Sequence, residues 1–361
     1  MPEPCRPGEA VTCAVDERRG PTALSLAVLH GGSATTYPAG RTALGGAPVG
    51  PSTRFDLASV TKVTTTLAVM RLRLDLDRPV RSVLPSFAGG AKDSVTPRDL
   101  LLHRAGLWEW WPLYADASDG PAVLGDPGAA VARAAALPLR YRPDSGRHYS
   151  DLGFQLLGAI VAAVHGTDLR TAVADLVTGP LGLRRTGYGP VGGPDVAVTS
   201  YGDAWERRMI ATGSPYPVAV RGVPVSRRHW LAGEVNDGNA HHAFGGVAGH
   251  AGLFGTAEET ARLGSVMLGE HPDWPPPVVA AFSASGPDPS QALGWRRSSI
   301  TTASGAAVTV LGHPGFTGTE VSVAPSLGLS WALLTNRLHP TSTPVDVSAL
   351  RERVARRVAR F

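Results

Sequence analysis

Ser59 and Lys62, three positions apart, are residues whose types and spacing could do chemistry together. On a helix, positions i and i+3 share a face one turn apart. An amine would then reach a hydroxyl, which is what activating a serine without a histidine requires. Composition sharpens the observation. Of 34 basic residues in the 361-residue chain, only two, Lys62 and Lys92, are lysine. Arginine keeps its proton in proteins, whereas lysine can lose one when its site lowers the pKa. Lys92 sits among Gly, Ala, Asp and Ser and reads as a loop residue. The bland alternative for Ser59 and Lys62 is a solvated pair on a helix surface. Local propensity opposes a helix altogether, because Val60, Thr61, Val63, Thr64, Thr65 and Thr66 are β-branched and favour a strand. A segment in which local preference has to be overridden is a candidate functional site.

Other signatures fail on context. Gly187, Gly189 and Gly192 have dinucleotide-loop spacing, but Pro190 and Pro194 prevent the helix that such a loop must open. His241, His242 and His250 lack a carboxylate at helical spacing, so they read as loop histidines and no metal or other cofactor is expected. No HExxH, P-loop or GxSxG pattern is present.

The elements that must position Ser59 and Lys62 are visible at both chain ends. Thr22–His30 and Ala34–Tyr37 read as strands around Gly31-Gly32. Ala306–Leu311, Thr317–Ala324 and Leu329–Thr335 are three more, the last two joined by a Pro325–Gly328 turn. Val345–Arg360 has helical spacing of Val347, Leu350, Val354 and Val358. Between them, Thr96–Leu102, Ala129–Ala136, Tyr149–His165 and Leu169–Val177 are helix-prone. The expected class is α+β. One antiparallel sheet would be drawn from residues 1–73 and 241–361, with a mainly helical insertion over 74–240.

Phe55–Lys62 (FDLASVTK) resembles the first motif of the penicillin-binding protein/β-lactamase superfamily, nearest to class C β-lactamases and their esterase relatives. Leu101–Leu107 is similar to the family's LLxHxSGL turn, with Arg104 and Ala105 as departures. Tyr149-Ser150-Asp151 resembles Tyr-x-Asn with aspartate in third place, and Gly245–Phe254 the glycine-rich loop. His313-Pro314-Gly315 stands where the family has Lys-Thr-Gly, and Asn336–Pro340 resembles its TNRxHP segment. Met70–Asp75 is shorter than the family's helix-turn there. The match runs in order from Thr22 to Pro340, and its specificity lies in the set of motifs.

The resemblance implies a β-lactamase/transpeptidase-like fold and a serine hydrolase in which Ser59 forms an acyl-enzyme. Lys62 and Tyr149 would share the general-base work, and the residues leave open which carries the proton. Asp151, His313, Gly315, Phe316 and Trp108 would contact substrate. The N–H groups of Ser59 and Phe316 would form the oxyanion hole. Trp108, Trp110, Trp111 and Tyr114 would wall an acyl pocket or pack under the insertion. His313 lacks the permanent charge of the family's lysine, so neutral esters or amides are expected to outpace β-lactams. β-Lactamase or DD-peptidase activity is one alternative, and acyl transfer or peptide cyclisation by the same residues is another. A binding module that kept only the fold would be signalled by loss of Ser59, Lys62 or Tyr149, all of which are present.

Composition narrows the rest. With 43% hydrophobic and 18% charged residues, a chain of this length can bury a large core without metal or disulfide. Cys5 and Cys13 read as free thiols. The net charge of +4 is scattered, and its densest run, Arg351 to Arg360, falls on a helix face, so no nucleic-acid partner is expected. Apolar stretches such as Leu152–Val164 fall short of the ~20 residues that span a bilayer. No leader pattern is read. The expectation is a cytoplasmic monomer acting on a small ester, amide or β-lactam, with no membrane partner.

Overall fold

The computed structural model describes residues 20–117, 121–218, 220, 225–341 and 343–360. Cys5 and Cys13 lie outside the described residues. The chain opens with a hairpin of β1 (Ala23–His30) and β2 (Ser33–Gly40). A short β3 (Phe55–Asp56) then leads into α1 (Thr61–Leu72). The middle carries α2 (Pro97–Leu101), α3 (Pro127–Ala136), α4 (Asp151–His165) and α5 (Leu169–Val173). These are followed by β4 (Gly187–Tyr188), β5 (Val198–Tyr201), α6 (Ala204–Thr212) and β6 (Trp230–Ala232). Next come β7 (Leu253–Gly255), α7 (Ala257–Ser265), α8 (Pro276–Ser283), β8 (Gln291–Ala292) and β9 (Trp295–Thr301). The chain closes with β10 (Ala307–Pro314), β11 (Glu320–Ala324), β12 (Leu329–Thr335) and α9 (Ser348–Val358).

The main sheet has seven antiparallel strands in the order β2-β1-β12-β11-β10-β9-β8. β12 lies between β1 and β11, so the two chain ends meet at the sheet centre. Alternation along β1 sends Leu24, Leu26 and Val28 to one face, where Leu350, Val354 and Val358 of α9 cover them. Ala23, Ala27 and Leu29 face the other side, into the core that holds Ala261 and Leu263 of α7. A strand covered on both faces reads as a continuous apolar run, which is why β1 and β12 are legible in the sequence.

Tertiary burial overrides the β-branched run of α1. Every residue from Thr61 to Met70 is buried. Helix propensity disfavours each Val or Thr by roughly 0.5 kcal/mol, whereas burying an apolar side chain contributes roughly 1.5–3 kcal/mol. Two of the threonine hydroxyls donate to carbonyls, Thr65 to Gly249 O of a distant loop at 2.7 Å and Thr66 to Lys62 O one turn back at 2.8 Å. α4 lies close against the loop carrying Gly249, where a Cβ on Gly158 would stand 2.9 Å from Gly249 Cα.

Some expectations change. The segment read as one helix, Leu169–Val177, is α5 followed by a wide turn over Ala174–Thr178. The sequence reading omits β9, whose residues are mostly exposed, and the short helices α6, α7 and α8. Lys92 is a correction: it is buried on a helical turn, Gly90–Ser94, and donates to Ala135 O at 2.6 Å. It ties that turn to a carbonyl in the last turn of α3. The residues expected as an insertion, 74–240, share one continuous core with the remainder: Val63 and Leu67 belong to the same cluster as Leu152, Phe154 and Leu157. Among the described residues, no single helix is long and apolar enough to cross a bilayer.

Candidate active site

Ser59 sits where a strand turns abruptly into a helix. β3 pairs with β7, and Asp56 at its end caps the turn. Asp56 Oδ1 accepts Ala58 N–H at 2.8 Å and Oδ2 accepts Asn236 N–H at 2.6 Å. Burial pushes the Asp56 carboxyl up to about 6. Ala58 has φ +46°, an unfavourable conformation for a residue with a Cβ. The turn is clamped from the opposite side by Thr317 Oγ1 on Asp56 O at 2.7 Å and Thr319 Oγ1 on Leu57 O at 2.9 Å. One helical turn, Ala58–Val60, then feeds α1. The Ser59 N–H makes no backbone hydrogen bond among the described residues.

The structure brings Ser59, Lys62, Tyr149 and Asp151 together. Lys62 is fully buried, and its Nζ donates to Ser59 Oγ at 2.8 Å and Asp151 Oδ1 at 2.7 Å, with a longer contact to His250 O at 3.4 Å. Tyr149 interacts through its hydroxyl with both Lys62 and Ser59. Burial disfavours the Lys62 ammonium, but the nearby Asp151 carboxylate and Tyr149 outweigh it, and the net pKa moves above the ordinary lysine value. Burial likewise raises Tyr149; Lys62 opposes that shift and Asp151 adds to it. The resting pair is therefore an ammonium and a neutral phenol. Asp151 occupies the first helical position of α4, whose N-cap is Ser150.

Two histidines back this group. His103 Nδ1 accepts Ser150 N–H at 3.1 Å, and its ring lies 4.6 Å from that of Tyr149. Burial, reinforced by the Lys62 charge, keeps His103 far below its usual pKa, in the neutral form that this acceptor role needs. His313 is buried with its ring 6.0 Å from Tyr149, and burial followed by the Lys62 charge holds it down to about 3. Its Nδ1 engages Pro314 O at 2.9 Å. His313 therefore stands behind the wall of the cavity, where the sequence reading has it contacting substrate.

In front of Ser59 opens a cavity of about 520 Å³ bordered by Tyr149, Asp151, Gly315, Phe316, Trp110 and Trp205. Gly315 N–H donates to Thr319 O on the β11 side, so by strand alternation the Pro314 and Phe316 nitrogens face the opposite edge. There β9 has already ended, its pairing stopping at Gly312 opposite Arg296. The missing N–H of Pro314 thus breaks no ladder, and Phe316 N–H is unpaired among the described residues. A Cβ on Gly315 would run into Thr319 Oγ1 and stand 2.6 Å from Leu57 O. Glycine is what lets β10 lie against the serine turn.

Trp108 is a second correction. Its Nε1 donates to Pro138 O at 3.0 Å, and its ring packs edge-on against Trp111 at 4.9 Å, away from the cavity. Trp110 takes the wall position. The sequence reading also omits Arg147, Arg296, Trp205 and Tyr216, all lining the cavity. Of these only Arg147 carried a local signal, standing two residues before Tyr149. His242 and His250 are engaged by Asp203 at 2.9 Å and Asp237 at 3.1 Å. The described residues contain no cluster of His, Cys, Asp or Glu suited to a metal.

Comparison with known proteins identifies the family. Residues 9–355 match the family described as Beta-lactamase. The N-acetylmuramyl-L-alanine amidase of Bacillus subtilis (strain 168) is 33% identical over 315 residues, covering 81% of this chain and 69% of the relative. A putative D-alanyl-D-alanine carboxypeptidase of Escherichia coli (strain K12) is 30% identical over 318 residues, covering 81% and 71%. Among solved structures, a class C beta lactamase from Rhodobacter sphaeroides superposes with TM-score 0.68 at 20% identity, over 96% of this chain and 97% of that one. EstCE1, a hydrolase with promiscuous acyltransferase activity, gives TM-score 0.68 at 22% identity over 98% and 96%.

Proposed function

The chain belongs to the beta-lactamase family and is a serine hydrolase of it, and from that premise we propose that Ser59 is the nucleophile that cleaves small amides or esters through an acyl-enzyme. The observation carrying this reading is the buried Lys62 ammonium 2.8 Å from Ser59 Oγ, with the Tyr149 hydroxyl in reach of both. Ser59 Oγ attacks the carbonyl while the Tyr149–Lys62 pair, one proton short of its resting state, takes the hydroxyl proton. The Ser59 and Phe316 N–H groups hold the oxyanion, each worth roughly 3–4 kcal/mol in the transition state. The pair returns the proton to the leaving group, and water releases the acyl group by the same steps in reverse order. The relatives named as an amidase and a putative carboxypeptidase support amide substrates.

Intact-mass analysis after treatment with a fluorophosphonate tests the assignment. The wild type should gain one adduct, mapped to Ser59, and S59A should gain none and lose ester turnover at least 1,000-fold, on the order seen when a serine nucleophile is removed. Turnover surviving in S59A, or an adduct at another residue, would overturn it.

A further inference from the structure

A second cavity, of about 510 Å³, lies against α4 and shares no lining residue with the one in front of Ser59. Gln155, Gly158, Ala159 and Ala162 of α4 border it as one stripe, at the i, i+3, i+4 and i+7 spacing of a helix face. Val131 of α3 and Phe244 and Val247 of the loop before β7 supply apolar walls. Its volume is that of a small-molecule site, which is typically a mainly apolar hollow with a few polar groups that fix orientation.

Most polar groups at its border are already engaged. Asp168 accepts Thr171 N–H at 3.1 Å and the Thr171 hydroxyl at 2.8 Å. Gly249 O accepts from Thr65 at 2.7 Å, and Ala248 O from the Tyr188 hydroxyl at 3.0 Å. Gln155 differs. It is 1% exposed, yet neither its Oε1 nor its Nε2 has a hydrogen-bond partner among the described residues. A buried donor and a buried acceptor left open on one side chain each carry an uncompensated desolvation cost, and the apolar walls cannot offset it.

The chemistry of the missing partner follows from that amide. Its carbonyl and NH2 stand side by side, so the complement is a group that presents a donor beside an acceptor. A primary amide, or a ring amide held cis, does so and closes a ring of two hydrogen bonds. A carboxylate and a tertiary amide both lack the donor, and a charge is disfavoured between apolar walls.

We propose that this cavity is a second ligand site, for a neutral small molecule with an apolar body and a primary or ring amide edge. The edge pairs with the Gln155 amide, and the body packs against Val131, Phe244 and Val247. The site is distinct from the Ser59 cavity and does not depend on the reaction proposed there.

Titration with benzamide, followed by saturation-transfer NMR, tests it, in the wild type and in S59A so that binding is also read without turnover. Both should bind benzamide saturably, with a Kd of roughly 1 mM or tighter for a ligand of this size. N,N-Dimethylbenzamide, which lacks the donor, should bind at least about tenfold more weakly, and benzoate likewise. Q155L puts an apolar side chain in place of the unpaired amide, so it should fold as well as the wild type. In it the preference for benzamide over the dimethyl amide should fall below roughly threefold. A159L leaves Gln155 in place and narrows the cavity, and should weaken benzamide at least about tenfold. No saturable binding in the wild type overturns the proposal, since the cavity then holds only water. Equal affinity for benzamide and its dimethyl derivative also overturns it, and that comparison needs no variant. Binding that survives both Q155L and A159L unchanged places the probe elsewhere and overturns it too.

Discussion

At the scale of single residues, the proton inventory of the site turns on Asp151. Its carboxylate, 2.7 Å from Lys62 Nζ, outweighs the burial that would otherwise strip the amine of its proton. The same carboxylate adds to the burial that raises Tyr149, while Lys62 opposes it. Both effects favour the protonated pair, so the form able to accept the Ser59 proton is populated only toward alkaline pH. Asp151→Asn keeps a hydrogen-bond acceptor for Lys62 and removes the charge. Both pKa values then fall, and the rising limb of the pH profile of kcat/KM should move to lower pH with activity retained. An unmoved limb between pH 5 and 10 would show that Asp151 has no part in setting the base.

At the scale of elements, the active site is the meeting of one strand end with one helix start. β10 continues past the end of β9, and that overhang presents Phe316 N–H to the mouth of the serine turn. Contact between the two elements depends on Gly315, since a Cβ there would meet Thr319 Oγ1 and Leu57 O and come within 3.4 Å of Ala58 Cβ. Gly315→Ala should therefore push β10 off the turn. We expect a loss of about 100- to 1,000-fold in kcat, the scale of one lost oxyanion donor, and a destabilisation of roughly 1–3 kcal/mol from overpacking. Steady-state kinetics beside urea unfolding separates the two, and near-normal kcat would show that Phe316 N–H is not positioned by this contact.

At the scale of the whole molecule, the sheet closes the chain on itself. Asn336, just beyond β12, accepts Ala23 N–H at 2.8 Å and donates to Thr22 Oγ1 at 2.9 Å and Val198 O at 3.0 Å. One buried amide thus joins the first strand, the last strand and the β5 segment of the middle region. Asn336→Ala would leave these groups unpaired, at a cost of about 2–4 kcal/mol. In a chain of this size that is roughly 3–5 °C in Tm. Scanning calorimetry showing a drop below 2 °C would mean that water replaces the amide without loss.

The sequence by itself determined what depends on local periodicity. A three-residue spacing puts Ser59 and Lys62 on one helix face, and continuous apolar runs mark β1 and β12 as strands buried on both sides. The order of the motifs fixed the family resemblance and, with it, the partnership of Tyr149 with Ser59. Only the tertiary structure decided which side chains point into the cavity. Trp108 and Trp110 are two residues apart, yet one donates to Pro138 O and the other lines the wall. Lys92 reads as a loop residue because nothing in its neighbours reveals that Ala135 O, 43 positions away, receives its ammonium. Arg147 and Arg296 are 149 positions apart, and a hydrogen bond from Arg147 to Gln291 joins their segments. Such encounters are set by the packing of elements distant in sequence, whereas periodicity reports only how each element faces its own core.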